Sequence, residues 1–424
     1  MDTQKKTRSC SRKSEAIIKG TLRGSRQICI PMMRDGYDQI WGLPLNIRRL
    51  LDSLIKSFPE LFPRGIQDGY HLTGRLPESK KMPGIRLRQV RLCNGGGVFT
   101  LRPSFVLSYM TGTVERVAHP LLLLGHGVPC WLVTEIFGRS EMHWYRHLER
   151  LGRNSLVGTT VRNPGRLPEH LVADEHHADW CGEKGYVAFT AGTGCVLGVA
   201  LSSSADEEHL TEAYGVFAAE ARDVHLDYAP KTVNTDGWFA TRNAFRNVFT
   251  MITPVLCFLH GFLKIRDRCR KARELHDQVW NVYRAMTATE FQERMAAFRT
   301  WFEQGTWPKA VMEVTAKLWN REAEYAVSYT NPSCHRTSNL VDRLMNRLTR
   351  LLYAGRGLHG HQISSERRLR GWALLQNFSP FAPRSGKVRE YKSPAHRLNQ
   401  KCYHEHWLHN LQVCASLMGR RGCT

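Results

Sequence analysis

Three aspartates stand where the sequence could bring carboxylates together. Asp174 follows the apolar run Leu-Val-Ala, Asp236 follows Thr-Val-Asn-Thr, and Asp342 lies in a run with helical periodicity. A charged carboxylate at the end of an apolar strand is costly to bury unless a cation compensates it, and two neighbouring carboxylates repel each other. Hard divalent cations prefer oxygen ligands. We therefore predict that Asp174, Asp236 and Asp342 bind divalent metal ions.

The segment around Asp342 has the periodicity of an amphipathic helix. Projected at 3.6 residues per turn, its apolar side chains form one arc, and Asp342 and Asn346 lie on the opposite side. Beside them lie Arg343, Arg347 and Arg350, a set that suits the phosphates of DNA. A helix with a merely solvated polar face would show the same stripe. We expect this helix to pack on a sheet and to present Asp342 among cations.

The whole chain is strongly basic, with 60 Lys and Arg against 38 Asp and Glu and a net charge of +22. Such an excess repels itself unless a polyanion is nearby, so we expect a nucleic acid as partner, with ribosome association as the plainer alternative. No apolar run of roughly 18 residues is present, so we expect no membrane partner. The 12 cysteines include no C-x2-C pair, which argues against a structural zinc ribbon.

From residue 171 onward the pattern alternates between strands and helices. Strands are predicted around 171–174, 186–190, 195–201, 232–236 and 255–259, with helices at 206–221 and 239–249. Three strands in a meander, followed by a helix, a strand, a helix and a strand, is the order of an RNase H-like sheet. In that fold the first and fourth strands are neighbours, so Asp174 and Asp236 would converge at one edge.

Residues 113–160 are predicted to form a helix-turn-helix region that binds double-stranded DNA. Helices are expected at 114–124, 129–137 and 140–151, with Ser140 capping the third. In the third helix we expect Met142, Tyr145, Leu148 and Leu151 to face inward, and His143, Arg146, His147 and Arg150 to face the DNA. A plain three-helix bundle would give the same pattern.

Short motifs surround the three aspartates in a definite order. They are Asp174, Thr-Asp-Gly-Trp at Asp236, Cys257-Phe-Leu-His260 after the fifth strand, a helical insertion, and Asn339, Asp342, Arg343 and Asn346 in the last helix. This set resembles the Mutator class of DDE transposases over about residues 165–362. That class usually has Glu as its third acid, where this chain has Asp342. Glu324 is an alternative third acid, and Glu175 could replace Asp174 if the strand register differs by one residue.

The resemblance implies a DNA transposase, in which Asp174, Asp236 and Asp342 hold two Mg²⁺ or Mn²⁺ ions. Its partners would be transposon ends and target DNA, bound by a homodimer or higher oligomer because two ends must be joined. The expected location is the cytoplasm of a bacterium or archaeon, at the nucleoid. Two residues, Cys257 and His260, are too few to form a closed zinc site. We therefore expect them, together with Asn346, to support the aspartates structurally. A DNA-binding derivative without catalysis and an RNase H-like nuclease remain alternatives.

The complete predicted fold is an α/β RNase H-like mixed sheet with a helical insertion, preceded by the helix-turn-helix region and a mixed N-terminal segment. The predicted divisions are a basic flexible arm (1–27), an N-terminal region (28–112), the helix-turn-helix region (113–160), the first part of the core (165–261), the insertion (262–332), the last core helix (333–362) and a basic aromatic C-terminal region (363–424). No chemistry can be assigned to residues 28–112 from the sequence.

Overall fold

The computed structural model describes residues 26–331, 333–385 and 390–420, which form a mixed α/β structure with two β-sheets. Of the predicted basic arm, 1–27, all but Arg26 and Gln27 lie outside the described residues. Within the described ranges, no helix is both long and apolar enough to cross a membrane.

Residues 28–112, to which the sequence assigns no chemistry, contain a small sheet and two helices. The elements are β1 (Gln27–Ile30), α1 (Tyr37–Trp41), α2 (Pro44–Ser57), β2 (Tyr70–Arg75), β3 (Arg88–Leu92) and β4 (Val98–Pro103). The strand order is β1-β4-β3-β2, in which β1 is parallel to β4 and the other neighbours are antiparallel. Pro44 begins α2, because its fixed φ and missing N–H are tolerated in a first helical turn.

The predicted helix-turn-helix region is helical. It comprises α3 (Val114–Gly125), α4 (Cys130–Phe137), α5 (Glu141–Leu151) and the short α6 (Leu156–Thr160). Ser140 caps α5 by accepting a hydrogen bond of 3.3 Å from the backbone N–H of His143. The region shares one hydrophobic core with the N-terminal sheet, since Leu121, Leu124 and Leu148 are buried together with its strands.

A second sheet carries two of the candidate aspartates. Its five strands are β5 (His170–Trp180), β6 (Glu183–Gly192), β7 (Cys195–Ser202), β8 (Thr232–Thr235) and β9 (Thr253–Leu256), in the order β7-β6-β5-β8-β9. The first three form an antiparallel meander, β8 is parallel to β5, and β9 is parallel to β8. The tight turn between β6 and β7 places Thr193 and Gly194 in the left-handed region, with φ angles of 50° and 86°.

β5 continues well beyond the predicted strand of 171–174. His176 and His177 pair with Val187 and Tyr186 of β6, and the strand ends at Trp180. The prediction missed this part of the strand because its side chains are polar. The strand forms all the same, since the antiparallel ladder uses backbone groups and does not depend on side-chain polarity.

One face of the main sheet is covered by α7 (Glu207–Val224) and α8 (Phe239–Val248). Their apolar side chains, with Phe217 and Phe245 among them, pack on Leu171 and Ala173 of β5. Val172 lies between these two residues and is buried in the core on the other face. This alternation follows from the strand geometry, in which successive side chains point to opposite sides.

A helical insertion follows β9. It consists of α9 (Phe258–Arg268), α10 (Arg273–Tyr283), α11 (Ala288–Glu303), α12 (Lys309–Asn320) and α13 (Glu322–Thr330). The insertion has a hydrophobic core of its own, which includes Phe291, Phe298 and Phe302. Its tryptophans are partly buried against that core: Trp280, Trp301, Trp307 and Trp319. The first helix begins at Phe258, before the predicted boundary at residue 262.

The second face of the main sheet is covered by α14 (Asn339–Ala354) and α15 (Gln362–Phe378), and α16 (Pro394–Asn399) and α17 (Trp407–Cys414) follow. Trp372 of α15 is fully buried, and its indole N–H donates to the carbonyl oxygen of Gly125 at 3.2 Å. Arg370 forms an ion pair with Glu220 of α7. Much of the predicted basic aromatic region, 363–424, is therefore part of the core rather than an exposed basic surface.

Candidate catalytic site

The sheet brings Asp174 and Asp236 to the same edge. Val172 of β5 pairs with Asn234 of β8 in a parallel register, and each aspartate follows two residues later. Asp174 lies inside β5 and Asp236 directly follows β8, so the two occupy neighbouring positions across the strands. Burial, the charge of Asp236 and the charge of Glu175 together raise the pKa of Asp174 to about 7. This repulsion indicates that the edge favours a cation.

A tight turn fixes Asp236 at the end of β8. The backbone N–H of Trp238 donates to Asp236 Oδ1 at 2.7 Å, which orients the carboxylate. Between them Gly237 has a φ of 94°, and a Cβ at this position would come within 2.5 Å of Leu256 Cδ1. Glycine is therefore favoured here by its conformation.

Asp342 lies in the first turn of α14, where Ser338 holds it. The Ser338 hydroxyl donates to Asp342 Oδ2 at 3.0 Å. The backbone N–H of Ser338 in turn donates to Cys257 Sγ at 3.2 Å. Cys257 directly follows β9, so these contacts tie the start of α14 to the end of the sheet. The sequence predicts a supporting role for Cys257 but gives none to Ser338; its place just before the helix is the signal that could have indicated one.

His260 senses the charges of two of the aspartates. The adjacent Cys257 thiol and the charges of Asp174 and Asp342 raise the pKa of His260 to about 9, although burial opposes this shift. His260 therefore lies within the electrostatic reach of both carboxylates. Asp174, Asp236 and His260 lie near one another, and Asp342 lies at the start of α14, which Ser338 ties to Cys257.

The chemistry of these donors fits a hard divalent cation. Carboxylate oxygens are the ligands that Mg²⁺ and Mn²⁺ prefer, and the mutual repulsion of Asp174 and Asp236 would be relieved by a positive charge between them. Within residues 26–331, 333–385 and 390–420, no three His, Cys, Asp or Glu side chains are already grouped closely enough to hold a metal ion. The aspartates thus share an edge without forming a closed ligand set.

The two alternative acids have other partners. Glu175 points to the opposite face of the sheet, where it accepts hydrogen bonds from Tyr214 and from Thr241, the latter at 2.8 Å. Glu324 forms ion pairs with Arg321 and Arg242, both at 2.8 Å. These contacts explain both carboxylates structurally, and they leave Asp174 and Asp342 as the better candidates.

The polar face of α14 is exposed beside Asp342. Its predicted DNA-binding residues Arg343, Arg347 and Arg350 are all exposed. Arg347 donates to Gln376 Oε1 of α15 at 3.2 Å, and Arg350 lies against Gly127 of the turn between α3 and α4. Asn346, predicted to support the site, is also exposed, and no contact among the described residues links it to the aspartates.

The orientation of α5 differs from the prediction. Its buried residues are Trp144, His147, Leu148 and Leu151, whereas Met142 is 52% exposed. The prediction that His147 faces outward is therefore wrong, and so is the inward position of Met142. Trp144 and His147 enter the interface with neighbouring helices, and their burial turns Met142 to the surface. Of the four predicted DNA contacts, Arg146 is exposed, while His143 and Arg150 are partly exposed.

The scan of the chain against protein-family models finds no matching family, and the search of curated proteins finds no match.

Proposed function

We propose that this protein is a DNA transposase with an RNase H-like catalytic core. The main support is the meeting of Asp174 and Asp236 at neighbouring parallel strands, with Asp342 at the start of α14, which Ser338 ties to Cys257 at the end of β9. The strand order, an antiparallel meander extended by two parallel strands, agrees with the RNase H-like order. The insertion between β9 and α14 also agrees with the resemblance to Mutator-class transposases.

Asp174, Asp236 and Asp342 are the residues that would hold two Mg²⁺ or Mn²⁺ ions. When bound, such ions activate an attacking water or 3′-hydroxyl and stabilise the leaving oxygen in an in-line displacement. The protein's own groups orient the carboxylates, through the Trp238 N–H at Asp236 and the Ser338 hydroxyl at Asp342. No nucleophilic side chain is needed in this reaction.

DNA binding is assigned to two basic surfaces, Arg146 on α5 and the exposed arginines of α14: Arg343, Arg347 and Arg350. The net charge of +22 favours a double-stranded polyanion as partner. Joining requires that two DNA ends be held at once, so the active form would be a homodimer or a higher oligomer. The expected setting is the nucleoid in the cytoplasm of a bacterial or archaeal cell.

Strand cleavage and joining on DNA that carries the element's own ends test this function. With Mg²⁺ or Mn²⁺ we expect the protein to cut at the ends and to transfer the new 3′-hydroxyls into a second duplex. Products are separated on denaturing gels. Cleavage without joined product would support the nuclease instead, and binding without cleavage under either metal would support the non-catalytic DNA-binding protein.

The third acid is tested by comparing Asp342→Asn with Glu324→Gln. We expect Asp342→Asn to slow cleavage by at least about 10²-fold, the loss that follows removal of one electrostatic stabiliser of a transition state. Glu324→Gln removes the same charge from an ion pair, so its cleavage rate should stay within a few-fold of wild type. Single-turnover rates with saturating protein give the comparison. Equal rates for Asp342→Asn and wild type would show that the third acid lies elsewhere.

The helix-turn-helix region is tested by two neighbouring residues of α5. Arg146→Ala removes an exposed cation, so the dependence of log affinity on log salt should become shallower by about 1. His147→Ala changes a buried residue, 4% exposed, so we expect a lower melting temperature and an unchanged salt dependence. Fluorescence anisotropy with labelled end DNA at several salt concentrations measures the slopes. If Arg146→Ala has the wild-type slope, α5 does not contact the backbone through this residue.

A further inference from the structure

A small pocket opens beside Asp236, between the main sheet and the insertion. Its volume is about 70 Å³, and its polar lining residues are Asp236, His260, Lys264, Lys317, Arg321 and Tyr325. Pockets for drug-sized ligands are several times larger, while a water molecule occupies about 30 Å³ in the liquid. The pocket is therefore small and suits a small polar group.

The walls of the pocket carry an excess of positive charge. His260 and Lys264 lie four residues apart on α9, and Lys317 and Arg321 have the same spacing at the end of α12, so each pair shares one side of its helix. Asp236 is the one acid among the described lining residues, and Glu324 pairs with Arg321 next to the pocket. Within the described parts of the chain, Lys264 and Lys317 form no ion pair. Cations that converge on a small space favour an anion.

The Tyr325 hydroxyl adds a hydrogen-bond donor to these charges. Tyr325 is 5% exposed, and its hydroxyl lies so close to Gly261 that a Cβ at Gly261 would be 2.7 Å from it. Among the residues that the structure describes, this hydroxyl has no hydrogen-bond partner, and it lines the pocket. It can therefore donate a hydrogen bond to an oxyanion in the pocket.

We propose that this pocket binds one backbone phosphate of the DNA strand, next to the phosphate that reacts at the aspartates. The inference rests on the proposed function, because the pocket opens at Asp236 and a ligand there must continue into the candidate site. Lys264 and Lys317 neutralise the phosphate, and Tyr325 donates a hydrogen bond to it. The insertion thereby sets the position of the strand along the edge of the sheet.

Neutral backbone linkages test this contact directly. We would measure the affinity of wild-type protein for a series of end duplexes, each with one methylphosphonate in place of a phosphate. The double variant Lys264→Ala/Lys317→Ala is compared with Lys271→Ala/Lys309→Ala, which removes the same charge from exposed positions of the insertion outside the pocket. All measurements are made with catalysis blocked by omission of divalent metal ions.

For wild type and the control variant, we expect a methylphosphonate at one linkage near the cleavage point to weaken DNA binding by about tenfold. This is the loss expected when a hydrogen bond to a charged group is removed. The pocket variant should bind the unmodified duplex correspondingly less tightly and should lose nothing further at that linkage. Its salt dependence should be shallower than the control's by about 1. Inorganic phosphate should compete weakly with the DNA for binding, and it should do so to the same extent for wild type and for the control variant.

Other results would overturn the inference. If the pocket variant and the control respond alike at every linkage, the pocket does not hold a backbone phosphate, while tight binding of end DNA would leave the proposed function standing. The pocket is a site for free phosphate if inorganic phosphate binds through Lys264 and Lys317 while the pocket variant and the control lose the same affinity at every methylphosphonate. Failure of wild type to bind any DNA would reject the proposed function together with the inference.

Discussion

Asp236→Asn is expected to abolish metal-dependent strand cleavage while leaving DNA binding intact. The amide removes the negative charge that a divalent ion requires, and the loss should be at least about 10²- to 10³-fold in the single-turnover rate. Its oxygen can still accept the N–H of Trp238, which lies 2.7 Å from Asp236 Oδ1, so the turn is preserved. Cleavage of labelled end DNA in Mg²⁺ and in Mn²⁺ gives the rates.

The stability of this variant separates a chemical effect from a folding effect. The charge of Asp236 raises the pKa of Asp174, so its removal relieves a repulsion in the metal-free protein. We therefore expect a melting temperature no lower than that of wild type without metal, and a smaller increase on addition of Mn²⁺. Asp277→Asn, on an exposed position of α10, is the matched control. Cleavage by Asp236→Asn at the wild-type rate would remove Asp236 from the site.

The strands that carry Asp174 and Asp236 could be predicted because their sequence patterns are local. β6 and β7 are apolar runs joined by a turn with Thr193 and Gly194. The alternation of strands with helices after β7 favours parallel pairing of β8 and β9. Once β5 and β8 are neighbours, the positions of the two aspartates follow from strand geometry. For this part of the site, short-range information was sufficient.

The packing of α5 could not be predicted because it depends on tertiary contacts. The helical period allows either Met142 or Trp144 to begin the inward face, and burial of Trp144 and His147 against neighbouring helices decides between them. The burial of Arg370 was equally hard to predict, because its ion-pair partner Glu220 is 150 residues away in the chain. A basic side chain in a buried helix looks the same in sequence as one on a DNA-binding surface.

The contacts that orient the candidate site were also beyond the sequence. Ser338 reaches Asp342 within one helical turn, but its second contact, with Cys257, joins residues 81 positions apart. Arg321 approaches Asp236 through the fold of the insertion, whose helices give no sign of their orientation relative to the sheet. The sequence alone could nominate the acids, whereas the residues that orient them could be identified only in the structure.

Gly371→Ala is expected to lower the stability of the whole protein, because α15 crosses α5 at this glycine. A Cβ at Gly371 would overlap the carbonyl oxygen of Leu148, and a Cβ at Gly152 would overlap that of Arg367. Both obstacles are backbone atoms, so the helices must separate to accept a methyl group. Overpacking of this kind costs about 1–3 kcal/mol or more, and loss of contacts around the buried Trp372 would add to it.

Gly215→Ala is the control, because Gly215 lies inside α7 with nothing within 4 Å of an added Cβ. There alanine should be neutral or stabilising by up to about 1 kcal/mol, through its higher helix propensity. Urea unfolding followed by circular dichroism compares the two variants, and a Gly371→Ala midpoint equal to that of Gly215→Ala would contradict the close crossing. Since α5 also carries Arg146, separation of α5 from α15 should weaken DNA binding in folded Gly371→Ala. The aspartates lie on other elements, so residual cleavage by that variant should keep its dependence on Asp236.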